Sequence, residues 1–282
     1  MNNMKILKKE ILTEALGSRV TKLEIKAPLI ASKAKPGQFV VLMVSEKGER
    51  IPLTVVDTGA GSGNVTLIFQ ELGLTTKLLG KLKEGDSLYS LVGPLGHATE
   101  IQKYGTVVLI GGGVGIAEIY PVAKAMKAAG NNVITIIGAR TKELLILEKE
   151  LKSVSSELHI ATDDGSYGTK GFVTDILKKL LNHRPSTDDH RLVYAVGPIP
   201  MMKAVANATK NSEMKTIVSL NALMVDGTGM CGCCRVTVGG KVKFSCVDGP
   251  EFDGHLVDWE ELDKRSRIYT EKEKHICKLS NL

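Results

Sequence analysis

Thr106-Val-Val-Leu-Ile-Gly-Gly-Gly-Val-Gly-Ile-Ala-Glu118 is the stretch on which the fold turns. Its first five residues, Thr106–Ile110, form an unbroken β-branched and aliphatic run, as expected of a strand buried on both faces. Four glycines follow within five positions (Gly111, Gly112, Gly113 and Gly115, around Val114), and a helix is expected over Ile116–Ala129. Such a turn brings an anionic ligand to the free N–H groups of the helix, which carry about half a positive charge. It departs from a strict G-x-G-x-x-G, and alone it also fits a strand-to-helix turn that is merely close-packed.

The segments downstream repeat the same alternation. Strands are expected at Asn132–Ile137, Leu158–Ala161, Leu192–Val196 and Lys215–Ser219, with helices at Lys142–Leu151, Gly171–Leu181 and Pro200–Thr209. Alternating β and α segments need crossover connections, hence a mostly parallel sheet with helices on both faces. Gly138-Ala139-Arg140 ends the second strand, Asp163-Asp164-Gly165 follows the third, and Val196-Gly197-Pro198 ends the fourth. All of them, with Gly112–Gly115, fall at the carboxyl edge, where open α/β sheets bind ligands.

Upstream, short runs at Val20–Ile25, Gln38–Val44, Leu53–Val56 and Val65–Phe69 are punctuated by Gly- and Pro-rich turns, the pattern of a small antiparallel barrel. One helix is expected at Thr75–Leu82, and Gly93-Pro94-Leu95-Gly96 reads as the exit from this part. The chain therefore divides into an N-terminal antiparallel β-barrel (1–98), an α/β parallel-sheet nucleotide-binding domain (99–220) and a short C-terminal module (221–282).

Composition narrows the classes. The 282 residues are 43% hydrophobic and 24% charged, which excludes a disordered or fibrous chain. No apolar run reaches the ~18 residues of a membrane span, and no membrane association is expected. Met1–Lys9 has no continuous apolar stretch, so a cytoplasmic rather than secreted protein is expected. The net charge of +6 is scattered among acids, as in Lys142–Glu150, without the basic stripe that nucleic acid demands.

Four of the five cysteines (Cys231, Cys233, Cys234 and Cys246) fall near one another, and a disulfide framework would spread an even number along the chain. With Asp226 they read D-x4-C-x2-C-x11-C, the plant-type [2Fe–2S] spacing with Asp in place of the first Cys. Asp226, Cys231, Cys234 and Cys246 are thus the candidate iron ligands. A hairpin over Val236–Phe244, turning at Gly239-Gly240, returns the chain to deliver Cys246. Two other readings stay open: Cys233 as fourth ligand, or a structural zinc, although the paired C-x2-C…C-x2-C is absent. Cys277 reads as a buried or spare thiol, and His97 and His255 as structural or solvent-facing.

Taken in order, Arg50-Ile-Pro-Leu-Thr54, the glycine turn, Val196-Gly-Pro-Ile-Pro-Met-Met202 and the cysteine loop resemble the ferredoxin-NADP reductase superfamily. The cluster loop narrows the likeness to relatives of the dihydroorotate dehydrogenase electron-transfer subunit. The resemblance implies FAD held by the barrel: Arg50 on the pyrophosphate, with Pro52, Leu53 and Thr54 along the isoalloxazine. It also implies contacts from Ile68, Phe69, Gln70, Gly73, Thr75 and Thr76. It implies NAD(H) at the sheet edge, exchanging a hydride with FAD, and single electrons relayed through the cluster.

Two departures choose among the relatives. Val196 replaces a cysteine usual beside the nicotinamide, and Asp226 replaces the first cluster cysteine. Both look more like the small subunit of NADH-dependent reduced ferredoxin:NADP oxidoreductase, also known as a sulfide dehydrogenase subunit. That likeness implies a larger flavoprotein partner with FAD and [4Fe–4S] clusters, ferredoxin served through the complex, and electron bifurcation. Alternatives are a dihydroorotate dehydrogenase subunit, a sulfide or polysulfide reductase subunit, or a redox-sensing binding protein. The acids Asp163 and Asp164 favour NAD over NADP, whereas Arg140 suits a 2′-phosphate.

Overall fold

The computed structural model describes residues 4–59, 61–183, 191–212, 214–272 and 275. Cys277 lies outside them. The described residues form two compact units: one gathers those of 1–98, 222–250 and 258–282, the other those of 99–221 and 251–257.

The first unit is built on a six-stranded antiparallel sheet. Its strands are β1 (Ile6–Ala15), β2 (Ser18–Lys26), β3 (Phe39–Met43), β4 (Ile51–Gly59), β5 (Asn64–Gln70) and β6 (Ser90–Leu95), in the spatial order β1-β2-β5-β4-β3-β6. Alternation along β2 and β5 turns Leu23, Ile25, Val65, Leu67 and Phe69 into one core with Val40 and Leu42 of β3. The two edges meet: Ile6 N–H donates to Asp86 O (2.8 Å), Leu88 N–H to Met4 O (3.0 Å), and Lys5 bridges Ser87. These contacts draw the start of β1 to the segment just ahead of β6 and close the sheet at that end. A single turn, α1 (Pro28–Ala31), and the helix α2 (Leu74–Lys81) complete the barrel, α2 spanning nearly the expected Thr75–Leu82.

Two barrel strands escaped the sequence reading. In β1 only Ile6 is buried, so no period-two alternation marks it. Gly93-Pro94, read as an exit, lies inside β6.

The second unit carries a seven-stranded sheet. Its parallel strands are β7 (Thr106–Gly112), β8 (Asn132–Ala139), β9 (Glu157–Thr162), β10 (Thr169–Lys170), β11 (Arg191–Val196) and β12 (Lys215–Ser219). The order β10-β9-β8-β7-β11-β12 reverses direction between β7 and β11, which makes that gap the topological switch point. Helices α3 (Gly115–Ala128), α4 (Glu148–Val154), α5 (Val173–His183) and α6 (Ile199–Thr209) supply the crossovers.

The helix expected over Lys142–Leu151 is corrected. A 3-10 turn occupies Lys142–Leu144, Leu145 is extended, and α4 begins only at Glu148. Four consecutive apolar residues, Leu144–Leu147, have no helical spacing, and Ile146 is drawn into the core.

The cysteine region belongs to the first unit. It contains the hairpin β13 (Arg235–Val238) and β14 (Lys241–Phe244), turning at Gly239 and Gly240, both with positive φ. A short strand, β15 (Glu251–Asp253), then pairs antiparallel with β12 and becomes the seventh strand of the second unit's sheet. The helix α7 (Trp259–Ser266) returns to β13, where Asp258 N–H donates to Thr237 O (2.8 Å). Among the described residues no helix is long and apolar enough to cross a membrane.

Candidate functional site

At one end of the barrel the register gathers the residues expected to hold FAD. Val55 of β4 faces Leu67 of β5, so Pro52, Leu53 and Thr54 at the start of β4 lie at the same end as Ile68, Phe69 and Gln70 at the end of β5. From there the chain enters α2 through Gly73. Thr75 Oγ1 donates to Glu49 Oε2 (2.8 Å), fastening the helix N-terminus beside Arg50, whose guanidinium is exposed. An exposed arginine next to a helix N-terminus suits a pyrophosphate.

Not every side chain in this set is available to a ligand. Phe69 is packed into the barrel core, so only its backbone can meet a cofactor. Gln70 Nε2 donates to Ser18 Oγ (2.6 Å). Thr76 caps α2 itself: its hydroxyl accepts from Gly73 N–H (3.1 Å) and Leu72 N–H (3.0 Å). Glu49, which the sequence reading passed over, carries no motif of its own; only its bond to Thr75 singles it out.

The expected NAD(H) residues converge on the carboxyl edge of the parallel sheet. Gly112 pairs with Gly138, and Gly111 with Val196, so the ends of β7, β8 and β11 stand level. Gly113 N–H donates to Gly138 O (3.0 Å), Asp163 N–H to Ala139 O (3.2 Å) and Asp164 N–H to Arg140 O (3.3 Å). The turn is also close-packed. A Cβ on Gly115 would sit 2.5 Å from Val196 O and 3.0 Å from Gly197 Cα, and one on Gly112 would sit 2.4 Å from Met201 Sδ. Val114 precedes α3, and Pro198 precedes α6. Among the four glycines of this turn only Gly113 has open space where a Cβ would stand, and the turn ends β7 at the switch point, the kind of place where open α/β sheets bind ligands.

Charge at this edge is divided. Burial, then the neighbouring Asp164, raises the Asp163 carboxyl, and the Arg140 guanidinium opposes them. The Ser166 hydroxyl and N–H both hydrogen-bond Asp164 and hold it low. Arg140 thus acts on Asp163, while Asp164 is held by Ser166.

The cysteine loop is assembled by the hairpin. Arg235 pairs with Phe244, which places Cys234 and Cys246 on opposite strands just beyond the ladder, their sulfurs 3.1 Å apart and both buried. Burial, with Cys234 alongside, pushes the Cys246 thiol up to about 12. Iron binding must displace that proton, because thiolate is the ligand. On the other flank Asp226 Oδ2 accepts from Cys231 N–H (2.8 Å), and its Oδ1 from Thr228 N–H (2.5 Å). The Thr228 bond, chiefly, holds the Asp226 carboxyl low and anionic. Gly227 has φ +77°, and a Cβ there would meet Val41 and Leu95 at 2.9 Å, so the loop lies directly on the barrel. Cys234 and Cys246 thus meet through their sulfurs, Asp226 meets Cys231 through its N–H, and the Cys233 thiol also lies beside Cys231. Among the described residues no three such side chains converge on one point. Two irons with two protein donors each fit this arrangement.

Glu251 of β15 is a half-buried carboxyl that no motif marked. It accepts hydrogen bonds from Tyr194 Oη (2.8 Å) and from the Thr99 hydroxyl. Burial raises its pKa above the usual 4.5. Burial, then the charge of Glu251, lifts the Tyr194 phenol well above 10, so it keeps its proton and donates. A carboxyl with a raised folded pKa contributes stability that is complete below pH 4.5 and lost as pH climbs through the folded value. Glu251→Gln is therefore expected to flatten the fall in stability above pH 4.5, read as urea midpoints at successive pH values. His255 is structural, its Nε2 meeting Thr209 Oγ1 at 2.9 Å.

Residues 109–207 match the oxidoreductase NAD-binding domain family, and residues 221–258 match the iron-sulfur cluster binding domain of dihydroorotate dehydrogenase B. The electron transfer subunit homolog of dihydroorotate dehydrogenase B (NAD(+)) from Thermotoga maritima is 52% identical over 89% of this chain and 87% of its own length. A chain in the solved structure of NADH-dependent reduced ferredoxin-NADP oxidoreductase, studied for flavin-based electron bifurcation, is 49% identical. Its TM-score is 0.89 over 97% of this chain and 96% of that one. Ferredoxin-NADP+ reductase from Plasmodium falciparum, 17% identical with a TM-score of 0.62, shares the fold over 76% of this chain and 94% of its own. The protein is an oxidoreductase that uses FAD, an iron–sulfur cluster and NAD(H). With two family segments in the expected places and a relative sharing half its residues, the chain belongs to the family of dihydroorotate dehydrogenase B (NAD(+)) electron transfer subunits and their homologues.

Proposed function

We propose that this chain is the NAD(H)-facing subunit of a bifurcating complex connecting NADH, NADPH and ferredoxin. Its partner in this reading is a larger cytoplasmic flavoprotein carrying FAD and [4Fe–4S] clusters. The observation that carries the reading is the Asp226 carboxylate, held inside the cysteine loop by Cys231 N–H where an all-cysteine cluster would have a thiolate. The 49% identity to a chain of NADH-dependent reduced ferredoxin-NADP oxidoreductase supports it.

In this reading Asp226, Cys231, Cys234 and Cys246 hold the [2Fe–2S] cluster. Arg50, the backbone of Pro52–Thr54 and Ile68–Gln70, and the Gly73–Thr76 turn hold FAD. Gly112–Gly115, Gly138–Arg140, Asp163–Asp164 and Gly197–Pro198 orient the nucleotide. Flavin and cluster together convert a two-electron hydride into single electrons; the protein supplies orientation and electrostatics. Met230 is 89% exposed beside Cys231, and Gly229 lies against Val247, itself exposed. This apolar rim around the cluster loop is suited to burial by the partner subunit.

Anaerobic reconstitution and co-purification test the proposal. The chain should bind two irons and FAD, co-purify with a larger flavoprotein, and let NADH with reduced ferredoxin reduce NADP. A second reading, the dihydroorotate-oxidising complex, is favoured by the name of the Thermotoga relative. Dihydroorotate-dependent NAD reduction by the same complex would select it instead.

The acids at the sheet edge yield a selectivity test. Asp163→Lys with Asp164→Lys leaves Arg140 unopposed, which suits a 2′-phosphate. The ratio of kcat/KM for NADPH over NADH is expected to rise roughly tenfold, about 1.4 kcal/mol of transition-state discrimination. An unchanged ratio removes these residues from nucleotide choice.

A further inference from the structure

We infer that Arg265, on the helix that follows the cluster loop, is a positioning residue that sets the reduction potential of the cluster. The inference rests on Cys231 and Cys234 being iron ligands, as proposed above.

The helix is aimed at the loop from its first residue. Asp258 caps α7, accepting from Glu260 N–H (3.1 Å) and Glu261 N–H (2.9 Å), while its own N–H is fastened to Thr237 of β13. Trp259 and Leu262 are buried along one face. Arg265 continues that face, three residues past Leu262. Its Nη2 donates to the carbonyl oxygen of Cys233 at 2.9 Å. Cys233 is the residue just before Cys234, within the short turn joining two ligands.

Two consequences follow. The peptide between Cys233 and Cys234 is planar and trans, so fixing its carbonyl toward Arg265 sends the Cys234 N–H to the opposite side. The guanidinium thus settles the orientation of one ligand's backbone. It also brings a permanent positive charge to the loop, and no carboxylate pairs with Arg265 among the described residues. Reduction adds one negative charge to the cluster. A nearby cation stabilises that reduced form and raises the potential, because net charge and hydrogen bonding tune such clusters.

A plainer role is conceivable for any cation in the last turn of a helix, where it offsets the macrodipole. Lys264 occupies that turn too and is exposed, so it serves as the control. The guanidinium of Arg265 is committed to Cys233, outside the helix.

The test is an EPR-monitored redox titration of the full reconstituted chain, with iron measured per chain. Arg265→Gln should keep its iron and lower the electron affinity of the cluster about tenfold, which is ~59 mV for one electron. Arg265→Lys, which keeps the charge, should stay within about threefold of the parent, and Lys264→Gln likewise. An unchanged midpoint in Arg265→Gln, or an equal fall in Lys264→Gln, overturns the inference. If Arg265→Gln loses iron, Arg265→Lys still decides: a tenfold fall with the charge retained overturns it. Absent iron in the unmodified chain would instead condemn the ligand assignment, so the two failures are distinguishable.

Discussion

Cys246→Ala is expected to empty the cluster while leaving the flavin in place. Iron should fall from two per chain toward none, and NADH should still bleach the FAD absorbance without producing a reduced-cluster EPR signal. Cys246 is buried, 3.1 Å from Cys234, and belongs to the pair that the hairpin register brings together. The hairpin is a separate two-stranded sheet, whereas the residues expected around FAD lie on β4, β5 and α2. Deleting one buried sulfur costs the fold on the order of 1 kcal/mol, a small part of a domain's stability. An alanine variant that retains full iron would show that Cys246 is no ligand, and Cys233 would become the leading replacement. Iron and flavin lost together would show that the cluster is needed to fold the barrel.

Gly115→Ala should damage the nucleotide site more than its single methyl group suggests. The new Cβ would fall 2.5 Å from Val196 O and 2.8 Å from Val196 C, which are backbone atoms of the neighbouring parallel strand. No side chain can rotate away from that clash, so either the β7–α3 turn or the Val196–Pro198 loop must shift. Overpacking of this kind costs about 1–3 kcal/mol, measurable by chemical denaturation. Both displaced segments line the switch point, so NADH affinity is expected to fall at least tenfold, read from the NADH dependence of flavin reduction. Unaltered NADH binding in a destabilised variant would return the glycines to a purely packing role.

The parts of the site legible in the sequence are those where function is written in adjacent residues. Thr106–Ile110 with its glycines marks β7 and the turn into α3 because a buried parallel strand must be apolar throughout and the turn must lack Cβ atoms. The spacing of Asp226, Cys231 and Cys234, the proposed iron ligands, is equally local, since a single loop carries all three. Even the return through Gly239-Gly240 to Cys246 is announced by its turn residues.

Legibility fades where the partner of a residue lies far along the chain. Nothing in Ile6–Ala15 alternates, because β1 buries little and is held by its pairing with β2. Leu144–Leu147 has no helical period, so the length of α4 depends on which of those side chains the core takes.

By itself, then, the sequence determined a barrel, a parallel sheet read at its carboxyl edge, and a cluster loop, because each is encoded by periodicity or by spacing within a few residues. Tertiary structure alone decided that β15 would join the sheet antiparallel to β12, that Glu251 would accept hydrogen bonds from Tyr194 and Thr99, and that Arg265 would reach Cys233. Glu251 and Tyr194 are 57 residues apart, and Arg265 and Cys233 are 32 apart. A hydrogen bond needs only proximity, and proximity across such separations is created by packing, which leaves no period in the order of the residues.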